Sequence, residues 1–298
     1  MPELPEVEHV VRALSRAVLG RRILAAEIKL KRLLAGSSPT SLKRKLRGAR
    51  IETIRRRGKY IVIEFDNQQL LLVHLRMTGK FVCLGADMPL PPYAHVVFYL
   101  DDDRRLVFCD MRQFGRMRLL PAKAFSTLPQ IETLAPEPFS DGFDMAYLLE
   151  TLSRSRRSLK QLLLDQTRIL GLGNIYASEA LFLARISPMK SAQSLSRQRA
   201  TRLHEAIRAI LQEAIDAGST LRIDLTEANG SYFGTTERFW RVYEREGEPC
   251  VNCGRKIRRI VQGGRSTYYC PRCQKINEKI FHISFFICHW WIHLAVQC

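Results

Sequence analysis

The chain has 298 residues, of which 46% are hydrophobic, so it can bury the cores of two domains and a small appendage. It carries 47 lysines and arginines against 29 aspartates and glutamates, and this net charge of +18 favours a polyanionic partner, nucleic acid ahead of an anionic membrane. Its eight cysteines argue against a secreted disulfide framework, because four of them form two close pairs near the C-terminus.

The first predicted element is an amphipathic helix over residues 3–19 that ends at Gly20. Its apolar positions are Val7, Val10, Val11, Leu14 and Val18. The chain begins MPELPEVE, and proline and glutamate both suit the first turn of a helix. The same stretch also has a chemical interpretation. If Met1 is removed, Pro2 presents a secondary amine, which can form a Schiff base with a carbonyl carbon.

Short β-rich runs separated by turn signals occupy residues 23 to about 120. The runs are IETI, KYIVIEF, QLLLVHL, HVVFYL, RRLVFC and RMRLL. Many short strands at this spacing predict an antiparallel sandwich or barrel. Cys83 and Cys109 lie in strand-like runs and are expected to be buried.

A turn-rich linker is predicted at 134–143, and the periodicity beyond it is helical. The predicted helices are 144–154, 157–165, 175–184 and 194–217. The polar segment 222–236, with Gly230 and Gly234, predicts a loop.

Two C-x2-C pairs with sixteen residues between them predict a structural zinc site near the C-terminus. The ligands are Cys250, Cys253, Cys270 and Cys273. Four protein ligands leave no open coordination position, so this zinc is expected to hold structure rather than to catalyse. The enclosed segment predicts two short strands around Gly263 and Gly264. Its basic residues suit nucleic acid, and Arg265 is the best candidate because it follows the turn.

The motifs MPELPEVE, RGKY, HLRMTG, DMRQFG, GLGNIYASE and the four-cysteine finger occur in this order along the chain. Together they closely resemble bacterial formamidopyrimidine-DNA glycosylase, the family that removes 8-oxoguanine and ring-opened purines from DNA. The resemblance spans residues 2 to about 275. It implies an α+β fold with an N-terminal antiparallel β-sandwich and a leading helix, a helix–two-turn–helix domain, and a C-terminal zinc-finger β-hairpin.

The domain prediction combines this resemblance with the pattern of elements. Its parts are a catalytic β-sandwich domain at 1–133, the linker at 134–143, a helix–two-turn–helix domain at 144–240 with a lesion-capping loop at about 222–236, a zinc finger at 241–275, and an atypical apolar tail at 276–298. The family does not explain the tail. It could pack on the protein or a partner, anchor weakly to a membrane, or have no selected role, and we favour the last. Its cysteines and histidines are too irregularly spaced to predict a second metal site.

The resemblance also implies a mechanism. Pro2 is the nucleophile that attacks the sugar C1′, so that the base departs and an iminium links the enzyme to DNA, after which β- and δ-elimination cut the strand. Glu3 is the general acid that protonates the sugar ring oxygen, and Glu6 has a supporting role. Lys59 binds phosphates beside the lesion and assists at the base, although considered alone it is typical of a surface lysine.

Two further residue sets follow from the resemblance. The phosphate clamp consists of His74, Lys160, Asn174 and Arg265, and the void left by the flipped base is filled by Met77, Arg112 and Phe114. Without the resemblance, Met77 and Phe114 are more typical of the sandwich core. The glycines of GLGN are expected to let the backbone approach a phosphate, while the next helix offers free N–H groups.

The expected partner is double-stranded DNA with oxidised bases or abasic sites, bound by a monomer with one structural Zn²⁺ and no need for a stable protein partner or a membrane. No secretory signal is visible, and we expect the bacterial cytosol. Two rival functions stay open. One is an endonuclease VIII-type glycosylase for oxidised pyrimidines, and the other is a non-catalytic protein that binds damaged DNA.

Overall fold

The computed structural model describes residues 2–217, Leu225 and residues 240–276, and its N-terminal half is a sandwich of two antiparallel sheets. The strands are β1 Ile23–Ile28, β2 Ile51–Arg57, β3 Tyr60–Phe65, β4 Gln69–His74, β5 Gly79–Gly85, β6 Ala94–Leu100, β7 Arg104–Asp110 and β8 Arg116–Pro121. One sheet has the order β1-β6-β7-β5 and the other β2-β3-β4-β8. Two separate sheets decide the open choice in favour of a sandwich. Six strands correspond to the predicted runs, whereas β1 and β5 were not among them.

The helices divide between the two halves of the chain. They are α1 Leu4–Val18, α2 Pro39–Leu46, α3 Pro129–Glu132, α4 Met145–Ser153, α5 Leu159–Leu163, α6 Asn174–Leu183 and α7 Arg197–Asp216. Helix α1 and helices α4 to α7 are confirmed with shifts of a few residues at their ends, while α2 and α3 were not predicted. Every helix in the described ranges is too short or too polar to cross a membrane.

Helix α1 contributes to two hydrophobic cores. Its residues Val7, Val10 and Leu14 are buried in the sandwich core, whereas Leu4 is buried in the core of the helical domain. Because the helix begins at Leu4, Pro2 precedes it, and Pro5 is the proline of the first turn. The N-terminus is therefore fixed at the junction of the two domains.

The sandwich has two neighbouring corners at which the chain passes from one sheet to the other. One joins β4 to β5 and the other joins β7 to β8, and Gly79 of β5 pairs with Asp110 of β7. Each corner contains one residue in the left-handed region, Arg76 with φ of 57° and Gln113 with φ of 56°. The corners thus adopt a backbone conformation that is costly for non-glycine residues.

The segment predicted as a linker is bound tightly to the sandwich. The carboxylate of Glu137 accepts hydrogen bonds from Gly58 N (2.6 Å) and from the Arg56 guanidinium (2.7 Å). The Arg57 guanidinium donates to the backbone oxygen of Ala135 at 2.9 Å. These bonds fix the turn between β2 and β3, which carries Lys59.

The C-terminal module is a hairpin of two strands around Gly263 and Gly264, as predicted. The strands are β9 Arg258–Gln262 and β10 Arg265–Tyr269. The buried Gln274 side chain accepts a hydrogen bond from Cys270 N at 2.8 Å and donates one to Ile186 O at 2.9 Å. This amide connects the finger to the helical domain. The residues from 277 onward and most of the loop at 222–236 lie outside the described residues.

Candidate active site and DNA interface

Three segments that are distant in sequence meet where the sandwich touches the helical domain. They are the N-terminus, the β2–β3 turn and the loop that precedes α6. Leu4 N donates to Gly171 O at 3.1 Å, and the Lys59 ammonium donates to Leu172 O at 2.7 Å. The N-terminal motif and the RGKY turn therefore both bind the GLGN loop.

The Glu3 side chain occupies the N-terminus of α6. Its carboxylate accepts hydrogen bonds from the backbone N–H groups of Gly173, Ile175 (2.9 Å) and Tyr176 (3.3 Å), and only 2% of the residue is exposed. The expectation that this helix offers free N–H groups to a phosphate is therefore wrong for these three. A carboxylate within the protein already satisfies them and complements the helix dipole.

The glycines of the GLGN loop allow this close approach. Gly171 has φ of 88°, and a Cβ atom there would overlap the Leu4 side chain. A Cβ atom at Gly173 would overlap the Glu3 carboxyl group. The predicted approach of a phosphate to these glycines is replaced by the approach of the protein's own N-terminal segment.

Glu6 is buried beneath Glu3 and holds its backbone. One oxygen accepts from Glu3 N at 2.8 Å, and the other accepts from the Tyr176 hydroxyl at 2.6 Å. Burial, together with the neighbouring Glu3 charge, raises the pKa of Glu6 above its ordinary value. This position matches a supporting role and leaves Glu6 behind the chemical groups.

Lys59 is almost completely buried, with 5% of the residue exposed, so the interpretation as a surface lysine is wrong. Burial lowers the pKa of its ammonium to about 8, while the Glu3 charge acts in the opposite direction. A Cβ atom at the preceding Gly58 would overlap Leu170, which explains the glycine in RGKY. The turn brings an amine that loses its proton near neutral pH to the side of Glu3.

His74 is held as a neutral imidazole at the end of β4. Its Nδ1 accepts a hydrogen bond from Arg76 N at 3.0 Å. Burial, followed by the charges of Arg76 and Lys59, lowers the pKa of His74 to about 3. An acceptor Nδ1 assigns the proton to Nε2, which can donate a hydrogen bond.

Lys160 is fully buried, and its geometry does not support the direct phosphate contact that the resemblance implied. Its ammonium donates to Asn174 O at 2.8 Å and to the Ser178 hydroxyl. Burial lowers the pKa of Lys160 to about 7. A lysine with no exposed surface holds the first turn of α6 from beneath.

Asn174 and Arg265 lie where α6 meets the finger. The Asn174 amide donates to Ser266 O at 2.9 Å, and Ser266 directly follows Arg265. Arg265 is exposed, and its charge is close enough to lower the pKa of both Lys59 and Lys160. The structure thus gathers the basic residues proposed for the phosphate clamp around the start of α6.

Glu179 is a buried anchor that sequence reasoning did not identify. It is fully buried, and its carboxylate accepts from the backbone N–H groups of Arg241, Val242 and Tyr243, each at 2.9 Å. These bonds tie α6 to the segment that leads into the finger. The signal was present in the sequence, because a glutamate among the apolar residues of GLGNIYASEALF needs a polar partner when it is buried.

The side chains proposed to fill the void lie together on the two sandwich corners. Met77 is 37% exposed and Phe114 is 47% exposed, so the alternative interpretation as sandwich core is wrong. The Arg112 guanidinium lies 4.9 Å from the centre of the Phe114 ring. Large apolar side chains exposed at neighbouring turns are suited to entering a base stack.

The four finger cysteines are placed to bind one zinc ion. Their Sγ atoms all lie within 4.8 Å of one another, at 3.9 Å for Cys250 and Cys273 and 3.5 Å for Cys253 and Cys270. Tetrahedral zinc with bonds of about 2.3 Å requires sulfur separations of about 3.8 Å. The thiolates fit this requirement and would fill all four coordination positions, so the ion would hold the finger together.

Three family models match the chain in order. They are the formamidopyrimidine-DNA glycosylase N-terminal domain at residues 1–117, the H2TH domain of the same enzyme at 134–224, and the zinc finger found in FPG and IleRS at 247–276. The last match contains all four cysteines described above. The order of the three agrees with the sandwich, the helical domain and the hairpin of the structure.

Curated relatives and solved structures agree with these matches. Formamidopyrimidine-DNA glycosylase of Pelotomaculum thermopropionicum is 44% identical, covering 93% of this chain and 100% of the relative, and that of Desulforamulus reducens is 40% identical, covering 92% and 99%. A complex of Lactococcus lactis Fpg with DNA containing an abasic site has a TM-score of 0.84 at 34% identity, and MutM with DNA containing carbocyclic 8-oxo-G has 0.84 at 36%. Both cover 92% of this chain and 100% of the solved one. The chain therefore belongs to the formamidopyrimidine-DNA glycosylase family.

Proposed function

We propose that this chain is a bifunctional DNA glycosylase and abasic-site lyase that excises 8-oxoguanine and formamidopyrimidines from duplex DNA. The observation that carries the proposal is the buried junction at which Glu3, directly after Pro2, interacts with Lys59 beside the GLGN loop. The relatives that share this arrangement of domains carry the same enzyme name, and the similar solved structures hold abasic or damaged DNA.

In the proposed reaction the Pro2 amine is the nucleophile. An α-amine has an ordinary pKa of about 8, so a useful fraction is free of its proton at neutral pH. The amine forms a bond to the sugar C1′, the bond from C1′ to the base breaks, and the base leaves with the electron pair. Opening of the sugar then gives an iminium, which acidifies the adjacent C2′ protons and permits elimination of the 3′ and then the 5′ phosphate.

Glu3 supplies the proton to the sugar ring oxygen. Its Oε2 accepts two backbone hydrogen bonds, from Gly173 and Tyr176, whereas Oε1 accepts one, from Ile175. Oε1 therefore retains a lone pair that can carry the proton, and we assign the acid function to this oxygen. The bonds to α6 fix the direction in which the proton is delivered.

The remaining site residues hold the DNA. Lys59, His74 through its Nε2–H group, Asn174 and Arg265 contact the phosphates beside the lesion. Lys160 acts through Asn174, because it binds the Asn174 carbonyl and is itself fully buried. Met77, Arg112 and Phe114 enter the duplex and occupy the space that the flipped nucleotide leaves.

The domain division at 1–133, 134–143, 144–240, 241–275 and 276–298 is part of this proposal. The separate hydrophobic cores of the sandwich and of the helical domain support its main boundary. We propose that the enzyme acts as a monomer on chromosomal DNA in the bacterial cytosol. Residues 222–236 would cap the flipped lesion.

Borohydride trapping tests the function. The purified protein is incubated with duplexes that contain 8-oxoguanine opposite cytosine or thymine glycol opposite adenine, and the reduced iminium is detected as a covalent adduct. We expect an adduct with the 8-oxoguanine duplex, and loss of most of it in Pro2→Gly, which should still bind a duplex with an abasic analogue. N-terminal mass spectrometry is the control, because protein that retains Met1 has no free proline amine.

Each contrary outcome identifies a rival function. Preferential trapping on thymine glycol would assign the chain to the endonuclease VIII type. Binding to abasic DNA without an adduct on either duplex, in protein that has lost Met1, would indicate a non-catalytic damage-binding protein.

A further inference from the structure

The two sandwich corners that carry the void-filling side chains are joined by a pair of polar residues that the proposed chemistry does not use. Thr78 follows Met77 on the β4–β5 corner, and Asp110 ends β7 at the start of the other corner. Asp110 is fully buried although it is a carboxylate. A buried charge in this position needs a structural or functional reason, because its desolvation is costly.

The Asp110 carboxylate connects the corners through both oxygens. Oδ1 accepts a hydrogen bond from the Thr78 hydroxyl, and Oδ2 accepts one from Gly115 N at 2.7 Å. The Thr78 oxygen in turn accepts from Arg112 N at 3.0 Å. A single chain of hydrogen bonds thus runs from the residue after Met77 to the backbone on both sides of Phe114.

The backbone of Asp110 is fixed as firmly as its side chain. Its carbonyl oxygen contacts His95 Nε2 at 2.9 Å and accepts from Gln113 N at 3.2 Å, and its N–H donates to Tyr93 O at 3.1 Å. A Cβ atom at Gly115 would approach the Phe108 ring and the Asp110 carboxylate closely. The corner is therefore built tightly around this carboxylate.

The corners need such a support because their backbone is strained. Arg76 and Gln113, directly before Met77 and Phe114, hold the left-handed conformation without being glycine. Residues in this region persist only where surrounding interactions determine the conformation. Without the hydrogen-bond chain, each corner could relax independently of the other.

We propose that Thr78 and Asp110 are positioning residues that hold Met77 on one corner and Arg112 and Phe114 on the other in a fixed relation, so that all three enter the duplex together. This inference rests on the proposed function, and in particular on void filling by those three side chains. The effect is specific to base extrusion. An intact base pair must be broken and its space filled, whereas a preformed abasic site needs far less energy to leave the stack.

Two single-turnover rates on the zinc-loaded enzyme test the inference. The first is excision of 8-oxoguanine opposite cytosine, and the second is cleavage at a preformed abasic site in the same duplex. Thr78→Val keeps the shape of the side chain but removes the hydroxyl. We expect it to slow excision about tenfold and to leave abasic-site cleavage within about twofold, since it removes hydrogen bonds to a carboxylate and to the corner backbone.

Three further variants make the test specific. Thr78→Ser restores the hydroxyl and should recover most of the excision rate, while Asp110→Asn should reproduce the loss. Thr53→Val is the matched control, because the Thr53 hydroxyl also donates to a carboxylate, that of Glu64, at 2.6 Å on strands away from the corners. It should change neither rate.

Fluorescence of 2-aminopurine placed beside the lesion gives an independent readout of insertion into the base stack. Thr78→Val should delay this signal and Thr78→Ser should not. Equal loss of both rates in Thr78→Val, or no loss of either, would overturn the inference. Absence of both activities from the wild-type enzyme would instead refute the proposed function.

Discussion

Glu3 combines a structural bond with a proposed chemical step. Because its carboxylate caps α6 through three backbone N–H groups, its removal exposes those donors as well as deleting an acid. Glu3→Gln keeps the shape of the side chain, but its amide NH₂ group would face one or more of these donors. Any loss of activity in that variant must therefore be compared with its stability before the loss is attributed to proton transfer.

Lys160 is a residue whose burial should lower stability at neutral pH. Its pKa falls from 10.5 to about 7 on folding, mainly through burial. Below pH 7 both states carry the proton and the cost is fully present. Between pH 7 and 10.5 the unfolded chain binds more protons, so the free energy of unfolding should rise with pH, by on the order of 4 kcal/mol over the full window.

Urea unfolding at pH 7 and at pH 9.5 measures this effect. Lys160→Met removes the titrating group, so wild type should gain stability relative to the variant as the pH rises. The control is Lys43→Met, which removes an exposed lysine from α2 and should follow wild type. If the wild-type and Lys160→Met values change in parallel, the ammonium is not buried as described.

Residue identities were predictable from the motifs, but their exposure was not. Met77 and Phe114 lie in runs that read as core, and only the placement of the two corners shows that they face outwards. Lys59 and Lys160 have the opposite history, because no local pattern indicates that a lysine will be enclosed by elements from the other half of the chain. Exposure depends on tertiary packing, which single-residue preference does not encode.

At the scale of elements, α6 has the central position. Its N-terminus binds Glu3, its first turn binds Lys160 and the finger hairpin, and Glu179 on its buried side binds the segment before the finger. The elements with strong periodicity, such as α1 and α7, could be predicted closely. By contrast α2 was missed because it has eight residues and only Leu42 and Leu46 are buried, so its apolar pattern is too short to read.

Removal of zinc should detach the finger from this helix. The hairpin is held to the helical domain by Gln274 at Ile186 and by Asn174 at Ser266, and both bonds depend on the fold that the cysteines maintain. Cys253→Ala should lose about one zinc per chain and weaken binding to abasic-analogue DNA by at least about tenfold, because the Arg265 contact is lost.

Metal analysis and DNA titration check this expectation, with Cys83→Ala as control because Cys83 is buried in β5 outside the cluster. The helical content measured by circular dichroism should remain, since α4, α6 and α7 have a hydrophobic core of their own. Unchanged DNA affinity in a zinc-free protein would show that the finger does not belong to the interface.

The whole molecule is strongly basic, with a net charge of +18, and this charge acts on any stretch of DNA. Sequence composition alone therefore predicted the class of partner, because counterion release does not depend on how the chain is folded. It could not predict which charges contact phosphates. Several arginines are held in ion pairs, such as Arg56 with Glu8 and Glu137, and this pairing is visible only in the folded chain.

Salt dependence separates the clamp from the general field. The logarithm of the binding constant should fall linearly with the logarithm of salt concentration, with a slope of about −0.9 for each phosphate neutralised. Arg265 is exposed at the tip of the finger hairpin beside the start of α6, so we expect Arg265→Gln to make this slope shallower by about 1. Binding should weaken to a similar extent on damaged and undamaged duplexes, because a phosphate contact does not read the base.

Arg44→Gln is the matched control, since it removes the same charge from the exposed side of α2, which packs against β1 rather than at the junction. If both substitutions change the slope equally, the finger contributes only to the overall field. If Arg265→Gln weakens binding to damaged DNA alone, Arg265 contacts the lesion instead of its flanking phosphates. A shallower slope confined to Arg265→Gln would place the hairpin tip on the phosphate backbone.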